Sequence, residues 1–452
     1  MNSLEWRVTA SLAAIYAVRM LGLFMILPVF ALYAETFPDS TPALAGLAIG
    51  IYGLSQAVFQ IPLGILSDKI GRKPVIIGGL LVFAFGSIIA ALASSMWLIV
   101  LGRMIQGMGA VAAPTMALAA DLIREEHRIR TMGVIGLTIG VSFMLGMILG
   151  PIVSQVGGVP SIFWLTMLLA FLGIALVVFV IPNPARTLQH RDAGIIKGYL
   201  STALSNAALL RMNVGVFILH LVMTANFLVL PTLFTHELGL PTAEHWKVYL
   251  PVFIGSFVLS VPLIIMAEKQ RKIRPLLLGC TVLLIVAELL MAAGHAQIVW
   301  LLVAFWLFFI GFNFLEAVQP SLVAKYSDVN TKGTAMGIFS SSQFLGIFAG
   351  GALGGMVNHE WGATGVFLFS AVVVGIWLLV ALQLPQPTFY ASKILKLDPL
   401  LFSDPQRLHT ELLAVAGVKE VALAAEECIA YLKIDKTALD QAGLDAFSPA
   451  SA

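Results

Sequence analysis

Gly64-Ile-Leu-Ser-Asp68-Lys-Ile-Gly71-Arg72-Lys73 is a charged loop hanging off the second of many apolar runs. It follows Ile61-Pro62-Leu63 and precedes Pro74. A weaker copy lies far downstream, where Val261-Pro262-Leu263 runs on to Glu268-Lys269 and Pro275. A charged loop that recurs along an apolar chain points to a duplicated membrane machine rather than a string of unrelated anchors.

Composition agrees. Of 452 residues, 59% are hydrophobic and 11% charged, under half of the roughly 25% charged residues usual in soluble domains. Such a chain cannot cover itself with polar surface, which excludes a soluble globular protein. The net charge of +2 points to no acidic partner and no nucleic acid. Cys280 and Cys428 give neither a disulfide framework nor a metal-ligand spacing, so neither a metal nor a cofactor is expected. The first apolar run carries no cleavage-type site and reads as a retained helix.

A spanning helix needs about 20 mostly apolar residues. Twelve segments qualify, at about 8–33, 43–66, 74–95, 97–121, 130–155, 160–182, 212–236, 246–267, 275–294, 297–323, 333–357 and 363–384. Loops after even-numbered helices, the middle loop included, hold the Lys and Arg residues, and loops on the other face hold only Lys247. The positive-inside rule then puts both termini in the cytoplasm.

The repeat extends beyond the loop. Met25-Ile-Leu-Pro28 matches Leu228-Val-Leu-Pro231, Pro114-Thr115 matches Pro320-Ser321, and Met132-Gly133 matches Met336-Gly337. The last offset also places Gly146 on Gly350 and Gly150 on Gly354. We expect an all-α membrane protein of two parallel six-helix repeats, 1–182 and 212–385, with a substrate site at their interface. The linker 183–211 carries Ile195-Ile-Lys197-Gly-Tyr199-Leu200, expected to lie as a surface helix. Beyond Pro385 charges return. Segment 386–452 reads βαββα, with strands from Ser392, Val418 and Ile429, a helix opened by Asp404-Pro405 and another from Lys436 to Phe447. That order suggests a small cytoplasmic α+β domain of ferredoxin-like type. Regulation, self-association and ligand sensing are all open for it.

Twelve helices in two parallel halves, with Gly-x-x-x-Asp-x-x-Gly-Arg-Lys after the second, resemble the major facilitator superfamily. Arg103-x-x-Gln-Gly107, Gly109 and Gly150-Pro151 are similar to its proton-coupled drug-efflux branch. The branch's glycine pair comes late here, as Gly157-Gly158, which weakens the assignment of direction. The resemblance implies that the loop latches the two halves on the cytoplasmic side. Gly64 and Gly71 would permit close approach, Asp68 would face the start of the eleventh helix, and Arg72 would pair with Asp121.

Charges inside spans are functional suspects, since each carries ~2.5–3.5 kcal/mol of insertion penalty. Arg19, Arg103, Glu288 and Glu316 are such residues. The family's cavity is lined by helices one, four, seven and ten, which favours Arg19 and Glu316 as cavity residues. Glu316, one turn from Asn313 and Gln319, is the preferred proton site, and a static hydrogen-bonded pair is the competing reading. Arg103 matches an arginine implicated in proton transfer in the family. Glu288 reads as a peripheral hydrogen-bonding or snorkelling residue, and His220 and His295 as weak candidates. Gly346, Gly350 and Gly354 line one face of the eleventh helix, as Gly136–Gly140 and Gly146–Gly150 do in the fifth. Such faces let helices pack closely and slide, and Pro151 invites a bend.

These features imply a proton-coupled exporter of small amphipathic compounds in a bacterial inner membrane. Nutrient uptake or facilitated diffusion, and a transporter-like sensor acting through the tail, are the alternatives. An enzyme is least compatible, since no nucleophile–base set stands out.

Overall fold

A computed structural model describes all residues except 185–196, 329–330, 388–389, 426–427, 436 and 449–452. Among the described residues, 11 helices are long and apolar enough to cross a bilayer. One of them, Lys332–Ala381, has 50 residues, about 75 Å at the α-helical rise and far beyond one crossing. It breaks at Gly362, whose φ of 63° is left-handed. Splitting it there gives twelve spans, as the hydropathy pattern implies.

The spans differ from expectation at their ends. The first runs Ser3–Phe24 and opens with a capping box: Asn2 and Glu5 exchange backbone-to-side-chain hydrogen bonds of 2.8 Å. It stops before Pro28, which has no N–H to continue the ladder, and helix resumes at Phe30–Ala34. The fourth, Met96–Leu122, is interrupted between Met108 and Ala112.

The charged "loop" is mostly helix. The second span, Pro42–Ile70, carries Gly64 to Lys69 in its last turns, and the third begins at Arg72. Gly71 alone makes the turn, with φ 98°, a region that disfavours any side chain. Arg72 therefore sits one residue from the end of the preceding helix, folded back onto it.

The remaining spans are Arg130–Gly157, Val159–Val180, Ala207–Glu237, Thr242–Lys269, Ile273–Gly294 and Ile298–Tyr326. Ile195 and Ile196 of the expected surface helix lie outside the described residues. What is described is a 3-10 turn Lys197–Tyr199 and a short helix Leu200–Ser205. Asn206 then caps the seventh span through Ala208 N and Leu209 N.

After the spans come strands β1 (Ala391–Lys396), β2 (Val418–Ala424) and β3 (Ile429–Ile434). They form one antiparallel sheet in the order β1-β3-β2, with β3 central. Helix Pro405–Ala414 joins β1 to β2 and packs Leu408 and Leu412 into the sheet's core. This is the split βαβ arrangement of the expected order. The last helix is shorter than expected, Gln441–Asp445, and starts at its cap Asp440.

The halves meet where small residues let them. A Cβ on Gly46 would collide with the Gly351 carbonyl, and one on Gly351 with the Gly46 carbonyl. One on Gly50 would come within 2.7 Å of the Phe348 carbonyl, and one on Gly355 within 2.7 Å of the Pro42 carbonyl. The second and eleventh spans thus touch backbone to backbone over Pro42–Gly53 and Phe344–Gly355, toward the end away from Gly71. That end is further joined by His236 to Glu35 (2.9 Å) and by Gln155 Nε2 donating to the Ala243 carbonyl (3.3 Å).

Gly346 and Gly350 press on the backbone of the seventh span at Phe217 and Leu221, and Gly354 presses on Ala225. Gly146 and Gly150 press on the first span at Phe24 and Met25, with Pro151 continuing the helix. The repeat-related glycines therefore do the same job in each half. Gly136 and Gly140 do not, since a Cβ on either meets nothing within 4 Å.

Candidate functional site

Phe143 of the fifth span reaches across the interface. Its ring centroid lies 5.4 Å from Phe253, 5.9 Å from Phe309 and 6.3 Å from both Phe227 and Phe312, all in the second half. Phe24 closes the group at 5.0 Å. Such ring pairs add to simple burial, and together they make an aromatic plug between the halves.

A polar tier lies next to the plug, toward the Gly71 end. Glu316 is one turn, about 6 Å, past Phe312 on the tenth span. Its Oε2 is 3.6 Å from His220 Nε2 of the seventh span, and its Oε1 is 3.4 Å from Gln343 Nε2 of the eleventh. The Glu316 side chain is 35% exposed. His220 Nδ1 lies 3.1 Å from the Val216 carbonyl, which can only accept. Nδ1 therefore donates to it, and Nε2 lies 2.7 Å from the Gln343 amide nitrogen, from which it can accept. Asn313 points elsewhere, donating to Ser256 Oγ of the eighth span (3.1 Å).

In the first half, Arg19 is 2% exposed and donates to Gln56, which donates to Gln60 (3.2 Å). Arg103, 1% exposed, donates to Gln106 (2.8 Å) and lies over the Tyr52 ring at 4.8 Å. Gln106 continues to Ser87 Oγ (2.7 Å). Among the described residues no carboxylate pairs with Arg19 or Arg103.

Glu288 departs from its reading as peripheral. It is wholly buried and accepts from Asn226 Nδ2 of the seventh span at 2.7 Å. The ninth span stands outside, but this face of it looks inward. Glu288→Gln should preserve the amide contact, whereas Glu288→Ala should lose ~1–3 kcal/mol by stranding a buried donor. Thermal melts of the detergent-solubilised variants check this.

At the Gly71 turn, Arg72 Nε donates to Asp121 Oδ2 (3.1 Å), and Nη1 donates to Ser67 Oγ (2.8 Å) and to Asp68. The Arg72 and Asp121 side chains are 2% and 0% exposed. The expected Arg72–Asp121 pair is present, while Asp68, expected to face the eleventh span, has Arg72 as its partner in this arrangement. Gly64 lies 3.3 Å, through an added Cβ, from Ala113 of the fourth span. In the second half Glu268 takes the matching place and accepts from Lys325 (2.7 Å) and Ser321 (2.7 Å). Lys325 lies near the C-terminal end of the tenth span as Asp121 does in the fourth, so each half ties the end of its second helix to its fourth by ion pairing.

The sequence reading passed over Gln56, Gln60, Tyr52 and Gln343, and rated His220 weak. The rule that singled out intramembrane charges, extended to amides, would have found the three glutamines.

Comparison with known proteins fits this geometry. The Major Facilitator Superfamily description matches residues 12–315 and 212–416. The inner membrane transport protein YajR of Escherichia coli K12 is 45% identical over 431 residues, covering 95% of this chain and 94% of that protein. A class B tetracycline resistance protein of Escherichia coli is 29% identical over 181 residues, 39% of this chain and 44% of that one. A bacterial homolog of the human lysosomal transporter Spinster, in an inward-facing and occupied conformation, superposes with a TM-score of 0.72 at 12% identity, covering 86% and 98% of the two chains. With twelve spans in two repeats, a polar tier at their interface and a relative this similar over nearly its full length, the chain belongs to the Major Facilitator Superfamily and is a membrane transporter.

Proposed function

We propose that the protein exports small amphipathic compounds in exchange for protons, by alternating access between two six-helix bundles (1–182 and 212–385) in a bacterial inner membrane with both termini cytoplasmic. The observation that carries the coupling is the Glu316–His220–Gln343 contact, which ties the seventh, tenth and eleventh spans at the edge of the aromatic plug. A proton on His220 Nε2 turns that atom from acceptor to donor, which breaks its bond to the Gln343 amide and turns it toward Glu316 Oε2. A proton on Glu316 removes the charge that holds the imidazolium. Either event changes how three helices of one bundle are joined. The aromatic plug suits an apolar body, and the tetracycline resistance relative favours export.

The test is Glu316→Gln in proteoliposomes with an imposed pH gradient. Gradient-driven transport should fall to background while counterflow, which needs no net proton movement, persists. Gradient-driven transport at the parental rate at every pH removes Glu316 from the coupling.

Nutrient uptake is the second reading. It is favoured by the amides and arginine of the two halves, Arg19, Gln56 and Gln60 in the first and Gln343 in the second. The direction of solute movement under an inward proton gradient separates the two.

A further inference from the structure

Five buried polar atoms without a hydrogen-bond partner gather in one place in the first half: Arg19 Nε and Nη1, Tyr52 Oη, and Arg103 Nε and Nη2. They belong to one construction. Tyr52 and Gln56 are four residues apart on the second span and share its face. Gln56 holds Arg19, and the Tyr52 ring carries Arg103. The two guanidinium groups are thus anchored on successive turns, about 6 Å apart along that helix. Tyr16, partly exposed on the first span, lies within electrostatic range of both Arg19 and Tyr52.

Two guanidinium groups keep their charge at any accessible pH. Buried cations in proteins are paired or hydrogen-bonded to an anion, yet these two face only neutral partners. Carboxylates deep in the spans or at their Gly71 end are engaged elsewhere: Glu288 with Asn226, Glu316 with His220, Asp68 and Asp121 with Arg72, Glu268 with Lys325 and Glu5 with Arg124. What the cluster lacks is an acceptor that brings negative charge and more than one oxygen.

We propose that Arg19, Tyr52 and Arg103 form the seat for the anionic head of the transported compound, a carboxylate or a comparable oxyanion, and that its apolar body lies against the aromatic plug. The guanidinium of Arg103 offers its free Nε and Nη2 side by side, the geometry that a carboxylate takes in bidentate fashion, and Arg19 adds single donors from Nε and Nη1. The unpartnered Tyr52 hydroxyl, on the ring that carries Arg103, adds a further donor. Phe24, five residues beyond Arg19 on the first span, belongs to the plug, which sets head and body at adjacent depths. The inference rests on the transport reading but not on its direction or on the proton site.

The experiment measures equilibrium binding to the purified full chain in detergent, with no gradient, using three probes of one shape: naphthoate, naphthamide and naphthylmethylammonium. Naphthoate should bind at least about tenfold more tightly than the other two, the effect of one or more hydrogen bonds to a charged group. Arg19→Gln should abolish that preference, and Arg19→Lys should restore part of it. Tyr52→Phe removes only a hydroxyl and is the variant that decides if Arg19→Gln does not fold: the naphthoate preference should drop several-fold. Equal binding of the three probes, a preference for the cation, no naphthoate binding, or a preference untouched by either substitution overturns the site. Glu316→Gln separates the two hypotheses. Lost proton-driven transport with the naphthoate preference intact supports both, whereas an intact preference with unaltered proton-driven transport removes the coupling and leaves the anion seat standing.

Discussion

Gly351→Val should spread the two halves at the end away from Gly71 and stop turnover. Gly351 has no room for a side chain: an added Cβ meets the Gly46 carbonyl, and lies 2.8 Å from Gly50 N and 2.9 Å from Gly50 Cα. All three obstacles are backbone, so no rotamer change relieves them. The second span is meanwhile held to its own half through Gly107, whose Cβ would strike Tyr52 and Ser55, and the eleventh is held to the seventh through Gly346 and Gly350. Each helix is therefore fixed in its bundle, and the interface between bundles gives way first.

Overpacking of this kind costs ~1–3 kcal/mol, a shift of roughly 5–150-fold in a two-state population. Directed wholly against the arrangement closed at that end, it leaves a transporter that cannot complete its cycle. Spin labels at Thr41 and His359, both exposed, should report a longer distance in Gly351→Val and in Gly46→Val. Gly136→Ala, which meets no neighbour within 4 Å, should change neither distance nor transport. Parental distances in Gly351→Val with normal turnover would refute the assignment of this contact as a gate.

The glycines also show what a sequence can and cannot yield. Their four-residue spacing on the eleventh span was legible, because helical periodicity fixes which residues share a face. Their partner was not. Gly346, Gly350 and Gly354 serve the seventh span within one bundle, while Gly351 and Gly355, one position on, meet the second span across the interface. Periodicity assigns residues to faces but says nothing about which helix each face meets. The count of twelve spans was legible for a comparable reason: hydropathy and length are local quantities. The full burial of Glu288 was not legible, because burial of an outer helix's inner face depends on how a bundle closes. The Arg72–Asp121 contact was expected only through the family resemblance; hydropathy and periodicity do not bring the end of the fourth span to the Gly71 turn.

Arg72→Ala should lose ~3–5 kcal/mol, the usual result of removing one partner from a buried ion pair. One guanidinium serves three acceptors on two helices, Ser67, Asp68 and Asp121, and the Asp121 side chain is wholly buried. Arg72→Lys keeps the charge but offers a point donor in place of a fork, so it should recover only part of the loss. Arg72→Asp with Asp121→Arg should regain some stability over either single change; no gain would count against direct pairing. The second half calibrates the size of the effect. Lys325 meets Glu268 at 2.7 Å, but the Glu268 side chain is 40% exposed, so Lys325→Ala should lose about 1 kcal/mol or less. Asp68 separates stability from gating. It is 19% exposed and its partner belongs to its own half, so Asp68→Asn should lower the melting temperature far less than Asp121→Asn. If Asp68 meets the eleventh span in the opposite state, as the family resemblance implies for the latch, the same substitution should cut transport by at least as much as Asp121→Asn does. Full transport in Asp68→Asn would confine the motif to a structural role at the Gly71 turn.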